Sequence, residues 1–161
     1  MIEVCKNLFV GSQEDEAHVR GRADWYVIHA CKEPYHRQAL GYSGRAAPKS
    51  HPEYLIASRP GRLILNIVDV ADVAYIPAEI IDAAVAAIQL NIATTKVLVH
   101  CNQGLSRSPT IAFLYIAKHT DRYQAMDFAS AVDEFRRIYP AYAPAAGISE
   151  YARLNWSKYA G

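Results

Sequence analysis

Residues 96–108 read KVLVHCNQGLSRS, and this stretch decides the fold. The apolar run Val97-Leu98-Val99 has the length and composition of a buried strand. Ser108-Pro109-Thr110, followed by IAFLYIAKH, is typical of the first turns of a buried helix. A short uncharged segment, 102–106, separates the two elements. The sequence therefore predicts a strand, a tight loop and a helix in immediate succession.

The loop holds residue types that suit an anion and a nucleophile. Cys101 and Arg107 bracket five uncharged residues. A cysteine reacts as its thiolate, a form that helix N-termini and cationic neighbours favour. The backbone N–H groups of 102–106 can turn inward around phosphoryl oxygens, and the following helix adds its positive end to the same field. Gly104 allows the bend that this arrangement needs.

Two further residues of the stretch have expected roles. The planar guanidinium of Arg107 can bind two phosphate oxygens at once and stays ionised. The hydroxyl of Ser108 is expected to donate to the sulfur and ease its departure. A buried cysteine beside a surface arginine is the commoner explanation for such a pair taken at random. The strand, the glycine, the hydroxyl and the helix start favour the anion-binding loop.

The pattern HC-x-x-G-x-x-RS-x-T resembles the dual-specificity branch of the cysteine-dependent protein tyrosine phosphatases. It lies almost two-thirds along the chain, as in that branch. The resemblance covers most of the chain except about 34–60. It extends to Asn7–Ser12 and Asp24–Ala30, which look like the first strands, and to 131–144 and 148–156, which look like the last two helices.

The resemblance implies hydrolysis of a phosphate monoester through a phosphocysteine on Cys101. An aspartate on an upstream loop serves such enzymes as general acid. Asp69, directly after the predicted strand, is favoured over Asp72, and a solvated loop residue is the alternative for either. His100 is expected to orient the loop. The expected substrate-binding residues are Asn102, Gln103, Gly104, Leu105, Ser106 and Arg107.

The substrate class follows from the uncharged loop. Relatives that act on phosphoinositides usually place lysines or further arginines at positions such as 102–106. Phosphotyrosine in a protein, with phosphoserine or phosphothreonine second, is therefore favoured, and a small phosphomonoester stays open. Two other functional classes stay open as alternatives: a phosphoprotein-binding module without catalysis, and a thiol enzyme such as an arsenate reductase or sulfurtransferase.

A second cysteine stands at the end of another predicted strand. The segment VIHACKEPYH, residues 27–36, resembles the part of the phosphoinositide-phosphatase branch that carries a cysteine able to bond the oxidised nucleophile. Cys31 is thus a candidate redox partner of Cys101. A buried cysteine without a role is the equally weighted alternative. His29 is expected to be a packed strand histidine.

The stretch from about 34 to 60 is rich in glycine, proline and serine and contains scattered basic residues. It predicts a long insertion loop with a helical piece, and long ordered loops often line sites. Tyr35, His36 and Arg37 follow Cys31 closely and are the candidates for contact with substrate. A solvated surface insertion is the alternative.

The whole chain limits the remaining possibilities. Its 161 residues predict one domain, 1–161. Seventeen lysines and arginines nearly balance sixteen acidic residues, so no broad basic face is expected for nucleic acid or membranes. Neither a signal-peptide layout nor a membrane-spanning stretch is evident, which favours a cytoplasmic protein. A monomer is expected. Three cysteines and six histidines lack metal-ligand spacing, so no metal or cofactor is expected.

The pattern around the loop completes the fold prediction. Residues 64–68 indicate another buried strand, and Pro77 to Ile92 indicate a helix. One face of that helix carries Ile81, Ala84, Val85 and Ile88. Alternating strands and helices predict an α/β domain whose central, largely parallel sheet is flanked by helices. The phosphate site would lie beyond the carboxyl ends of the strands.

Overall fold

The computed structural model describes all 161 residues, which form one six-stranded sheet in the order β1-β2-β6-β3-β5-β4. The four inner strands, β2, β6, β3 and β5, run parallel, and the edge strands β1 and β4 run antiparallel to their neighbours. The strands are β1 (Ile2–Cys5), β2 (Leu8–Gly11), β3 (Trp25–His29), β4 (Ile56–Arg59), β5 (Arg62–Leu65) and β6 (Lys96–His100). This arrangement confirms the predicted α/β fold.

Helices cover the two faces of the sheet unequally. The seven helices are α1 (Gln13–Val19), α2 (Arg37–Leu40), α3 (Ala78–Asn91), α4 (Arg107–His119), α5 (Phe128–Ile138), α6 (Ala146–Leu154) and α7 (Trp156–Ala160). The largest apolar cluster, of 34 buried residues, joins α3 to α7 with the sheet. The other face carries two clusters of four residues each, one under α1 and one under the π-helical turn at Lys32–His36.

The central strand β6 explains why the site lies where it does. Val97, Leu98 and Val99 are fully buried, as expected for a parallel strand covered on both faces. β6 lies between β2 and β3, and its register pairs His100 with His29 of β3 and with Gly11 of β2. The ends of three parallel strands therefore converge where the loop begins.

The predicted helix at 77–92 is confirmed as α3, and its four predicted core positions are all buried. The predicted strand at 64–68 is displaced, because β5 spans Arg62–Leu65. Asn66 still donates its backbone N–H to the Leu55 carbonyl at 2.9 Å, and its side-chain amide donates to the Tyr54 carbonyl at 2.8 Å. The residues after Asn66 lie outside the strand.

The stretch 34–60 is more ordered than a loop with one helical piece. It contains most of the π-helical turn, the short helix α2 and the edge strand β4. The strand β4 was not predicted. Pro60 and Gly61 join β4 to β5, and Gly61 has a φ of 73° that suits glycine. The prediction of an insertion loop was therefore wrong at its carboxyl end.

The last third of the chain follows the expected order of helices. α5 begins after Asp127, whose side chain accepts from the backbone N–H of Ser130 at 2.8 Å and caps the helix. The predicted final helix is divided at Asn155 into α6 and α7. None of the helices has the length and apolar character needed to cross a membrane. No cluster of three or more histidine, cysteine or acidic side chains is placed to hold a metal ion.

Candidate active site

The loop 101–106 connects β6 to α4, as the sequence predicted. Two neighbouring strands fix its first residues: the Cys101 N–H donates to the Gly11 carbonyl at 3.4 Å, and the Ala30 N–H donates to the His100 carbonyl at 2.8 Å. Cys101 is only 2% exposed. The thiol thus sits at the carboxyl end of the central strand and at the start of a helix.

A hydroxyl group lies next to the thiol. Ser108 Oγ is 3.2 Å from Cys101 Sγ, and it is also 3.3 Å from the Gly11 carbonyl oxygen. Ser108 is fully buried, so its rotamer is held by packing. With a protonated thiol the hydroxyl can donate to Gly11, and with a thiolate it can donate to the sulfur. The sequence prediction placed this residue next to the sulfur, and the structure does so.

The loop amides are free to bind a ligand. The backbone N–H groups of 102–106 donate to no acceptor within the chain. Gly104 has a φ of 74°, and a Cβ at this position would lie 2.9 Å from the carbonyl carbon and oxygen of Gly11. The Tyr139 hydroxyl donates to the Gly104 carbonyl at 2.7 Å. The loop therefore keeps its curvature only with glycine at its centre.

Three contacts orient Arg107. Its Nη1 donates to the Ile67 carbonyl at 3.1 Å, its Nη2 to Asn102 Oδ1 at 2.9 Å, and its Nε to Asp69 Oδ2 at 3.1 Å. The side chain is 9% exposed. The Ile67 carbonyl lies two residues after β5 and also accepts from the Lys32 N–H at 3.1 Å. The guanidinium consequently faces the loop in a fixed orientation.

The two candidate general acids occupy different environments. Asp69 Oδ1 accepts from Ser106 Oγ at 2.7 Å, so both carboxylate oxygens are held beside the loop. Asp72 instead accepts from the Ala74 N–H at 2.9 Å and caps the 3₁₀ turn Val73–Tyr75. Asp69 lines the cavity at Cys101, whereas Asp72 does not. The geometry separates two residues that sequence position alone left in competition.

The cavity at the loop has a volume of about 310 Å³. It combines predicted residues with three from the turn between α5 and α6. Its lining residues are Asp69, Cys101, Asn102, Gln103, Leu105, Ser106, Arg107, Ala143, Pro144 and Ala145. The last three were not predicted as site residues. They are tied to the loop by hydrogen bonds from the Ala143 N–H to the Leu105 carbonyl and from the Ala145 N–H to Ser106 Oγ, both at 2.9 Å.

A pair of buried histidines supports the loop from below. His100 Nδ1 lies 3.2 Å from the Cys101 carbonyl oxygen, which can only accept, so Nδ1 carries the hydrogen. Burial lowers the pKa of His100 to about 4, so its Nε2 is an acceptor at neutral pH. His29 Nδ1, 2.7 Å away, is then the donor. Burial, together with His100, lowers the pKa of His29 to about 2.

The three residues expected to contact substrate lie elsewhere. Tyr35 stacks on His29 with ring centroids 4.4 Å apart, and its hydroxyl donates to Glu16 Oε2 at 3.2 Å. The ring nitrogens of buried His36 contact the Tyr42 hydroxyl and the Glu53 carbonyl. Arg37 pairs with Glu33 at 2.8 Å. None of the three lines the cavity at Cys101, because each is used to hold the segment after β3.

The second cysteine, Cys31, is fully buried beside β3. It packs in the small cluster with Tyr35, Ala57 and Ile64. Burial raises the pKa of the Cys31 thiol to about 12, and the charges of Arg107 and Cys101 also act on it, in opposite directions. Cys31 is therefore a protonated thiol near the loop, and all three cysteines of the chain are free.

Comparison with known proteins finds similarity at the level of structure. Neither a protein-family model nor a curated protein matches the sequence. Among solved structures, the human tyrosine phosphatase-like serine/threonine/tyrosine-interacting protein superposes with a TM-score of 0.63 at 16% identity, covering 99% of this chain and 97% of its own. The PTP-2 phosphatase of Cydia pomonella superposes with a TM-score of 0.59 at 19% identity, covering 96% of this chain and 88% of its own.

A third match, the Yvh1 phosphatase domain of Chaetomium thermophilum, has a TM-score of 0.58 at 20% identity, with 98% of this chain and 94% of that chain covered. The matched chains are thus similar to this one over nearly their full length. Identities of 16 to 20% show a shared architecture. The chain has the fold of the dual-specificity phosphatases.

Proposed function

We propose that the chain hydrolyses phosphate monoesters through a phosphocysteine on Cys101. One observation carries the proposal: a thiol, a hydroxyl, a guanidinium and a carboxyl group converge on a loop whose N–H groups have no acceptor in the chain. Each group corresponds to a step of the reaction, and nucleophilic catalysis divides the hydrolysis into two easier displacements.

In the first displacement, the Cys101 thiolate attacks phosphorus and the bond to the ester oxygen breaks. The loop N–H groups and Arg107 bind the phosphoryl oxygens and stabilise the charge of the transition state. Asp69 gives its proton to the departing oxygen, because an alkoxide or phenoxide is a poor leaving group without one.

In the second displacement, water attacks the phosphocysteine and the sulfur–phosphorus bond breaks. The Asp69 carboxylate now accepts a proton from the water, which restores the acid for the next cycle. The Ser108 hydroxyl, 3.2 Å from the sulfur, donates to the departing thiolate. His100 acts as a positioning residue, since it is neutral and holds the Cys101 carbonyl rather than exchanging protons with substrate.

The substrate class follows from the cavity. The loop contributes no charged side chain except Arg107, so the site suits a single phosphoryl group. Phosphotyrosine in a protein is the first choice, phosphoserine and phosphothreonine the second, and a small phosphomonoester the third. We expect no cofactor or metal, a monomer, and a reducing cytoplasmic compartment in which the three free thiols persist.

The test is release of phosphate from a chromogenic aryl phosphate between about pH 5 and 8 with a chelator present. Wild-type chain should turn over the substrate, and Cys101→Ser should lose activity by at least about a thousandfold, because the hydroxyl is a far weaker nucleophile. Cys5→Ser is the matched control and should keep full activity. Equal activity of wild type and Cys101→Ser would overturn the proposal.

A binding module is the second candidate function. It is favoured by the match to a human protein whose name describes it as phosphatase-like and interacting. Inactivity of the wild-type chain, with retained binding of a phosphotyrosine peptide, would select this candidate. Turnover of arsenate or thiosulfate without phosphatase activity would select the thiol-enzyme alternative instead.

We also propose Cys31 as the redox partner of Cys101. Hydrogen peroxide would oxidise the Cys101 thiolate to a sulfenic acid, and Cys31 would then displace water from it to form a disulfide. Peroxide treatment followed by non-reducing peptide mapping should show a Cys31–Cys101 linkage. Absence of this linkage, with Cys101 oxidised further, would leave Cys31 as a buried structural residue.

A further inference from the structure

A second cavity, of about 450 Å³, lies against β3 on the face of the sheet that carries α1. It opens between the carboxyl end of α1 and the turn that joins β4 to β5, where helices leave the sheet uncovered. It shares no residue with the cavity at Cys101. Its lining residues are Glu16, Val19, Arg20, Gly21, Arg22, Ala23, Trp25, Val27, His29, Pro60, Gly61 and Arg62.

The mouth of this cavity is cationic. Three arginines line it against one carboxylate, that of Glu16. Arg20 donates to Glu16 through Nε at 3.0 Å and Nη2 at 2.5 Å, and Arg22 pairs with Asp24 at 3.0 Å. Arg62 is exposed and makes no ion pair or side-chain hydrogen bond within the chain. A guanidinium with all its donors free stands at the entrance.

Two residues of the cavity wall carry a buried polar atom that has no hydrogen-bond partner. Only three buried side-chain nitrogen or oxygen atoms in the whole chain lack a hydrogen-bond partner, and two of them, Trp25 Nε1 and His29 Nε2, belong to residues that line this cavity. Trp25 is 8% exposed and His29 is 1% exposed. A buried polar group without a partner destabilises the protein, so a ligand that satisfies both atoms gains free energy on binding.

The donor and acceptor roles of the two atoms are opposite. An indole nitrogen can only donate. His29 donates through Nδ1 to His100, and because the ring is neutral, its Nε2 presents a lone pair. The cavity therefore offers one donor and one acceptor inside and a cation outside. Its complement is an anion whose polar part carries both an acceptor and an N–H or O–H donor.

We propose that this cavity is a second ligand site, which binds a small organic phosphate with its phosphate group on Arg62 and its polar part against Trp25 and His29. The volume lies within the range of small-molecule sites. A nucleotide supplies the donor and acceptor from its base, and a sugar phosphate supplies them from its hydroxyl groups. The site is separate from the proposed catalytic loop and does not depend on its activity.

The test uses the full chain with Cys101→Ser, which cannot turn over the probe. Titration of ¹⁵N-labelled protein with AMP, ribose 5-phosphate and inorganic phosphate is followed by the indole N–H signals. The signal of Trp25 should shift saturably with at least one of the two organic phosphates, and more weakly with inorganic phosphate. Trp156 is the internal control, because its Nε1 already donates to the Met126 carbonyl at 3.0 Å.

Variants assign the binding to the cavity. Arg62→Gln should weaken binding at least about tenfold, as expected for the loss of a hydrogen bond to a charged group. Arg45→Gln, which also replaces an exposed arginine without a side-chain partner, should change affinity less than twofold. Saturation by AMP alone identifies a nucleotide site, and saturation by ribose 5-phosphate identifies a sugar-phosphate site.

Three results would overturn the proposal: no saturable shift of Trp25, equal affinity for inorganic phosphate, or equal loss in Arg62→Gln and Arg45→Gln. All three are measured without catalysis. Failure here therefore leaves the phosphatase proposal untouched, and an inactive wild-type chain leaves this proposal untouched.

Discussion

Asp69 and Asp72 stand three positions apart in the sequence, yet only Asp69 faces the thiol. Asp69→Asn should lower turnover of alkyl or aryl phosphates with poor leaving groups by about a hundredfold or more, the usual contribution of a general acid. Asp72→Asn should change turnover by less than about twofold, because that side chain caps a turn. Steady-state kcat for a series of leaving groups checks this ranking, and the opposite order would move the acid role to Asp72.

Ser108 gives a second prediction for a single residue. Ser108→Ala removes the donor 3.2 Å from the sulfur, so the thiolate should leave the phosphocysteine more slowly. Rapid mixing with a good aryl phosphate should then show a burst of phenol followed by a steady state at least about tenfold slower than wild type. A uniform fall in both phases would instead assign Ser108 to the attack step.

The site residues that could be predicted from the sequence were those that lie close together along the chain. Cys101 lies in the loop, and Arg107 and Ser108 begin the helix that follows it, so their spacing alone indicates their arrangement. The turn at 143–145 and the hydroxyl of Tyr139 reach the loop only through folding, and no local pattern marks them. Asp69 was favoured from its position after a strand, although that strand was predicted to run three residues too far.

The loop as an element depends on its glycine. Gly104→Ala would place a Cβ 2.9 Å from the Gly11 backbone in addition to straining a positive φ. We expect a loss of at least about 2 kcal/mol in the free energy of unfolding and of at least about tenfold in kcat/KM.

Gly41→Ala is the matched control for this substitution. Gly41 has a φ of 78° but no atom within 4 Å of a built Cβ. The Gly41→Ala variant should lose only about 1 kcal/mol in the free energy of unfolding and should keep its activity. Chemical denaturation and initial rates measure both effects, and equal losses in the two variants would show that conformational strain alone, rather than the contact with Gly11, matters.

Strands and helices with strong periodicity were predictable, and elements fixed by distant contacts were not. β6 has a continuous buried run and α3 has a periodic buried face, and the local sequence reveals both. β4 is four residues long, with one fully buried residue, Ala57, and exists because β5 offers it an edge. Ile67 and Val68 are as apolar as strand residues, but β5 ends at Leu65, and the Ile67 carbonyl accepts from Arg107 at 3.1 Å.

At the scale of the whole molecule, the buried histidines make stability depend on pH. Histidines of the unfolded chain take up protons below about pH 6.5, whereas folded His100 stays neutral down to about pH 4. The unfolded state then binds more protons, so the free energy of unfolding falls as pH falls from 6.5 to 4. His100 alone accounts for roughly 3 kcal/mol of that loss. His29 acts in the same direction and extends the window lower.

Urea denaturation at about pH 7 and pH 4.5 measures this dependence. His29→Asn should reduce the difference in stability between the two pH values, since one buried imidazole is removed. Exposed His18→Gln should leave the difference unchanged. A wild-type chain equally stable at both pH values would contradict neutral burial of the pair.

The hydrogen bonds of Arg107 within the chain affect the affinity of the site for phosphate. Its Nε and Nη2 already donate to Asp69 and Asn102, so an arriving phosphate exchanges one set of hydrogen bonds for another. The free energy gained on phosphate binding is only the difference between the two sets of hydrogen bonds, so we expect the ground state to bind weakly. In the proposed reaction, the exchange favours turnover to the extent that Arg107 binds the transition state more strongly than the bound substrate. The same exchange would release Asp69, the proposed acid, at the moment when phosphate arrives.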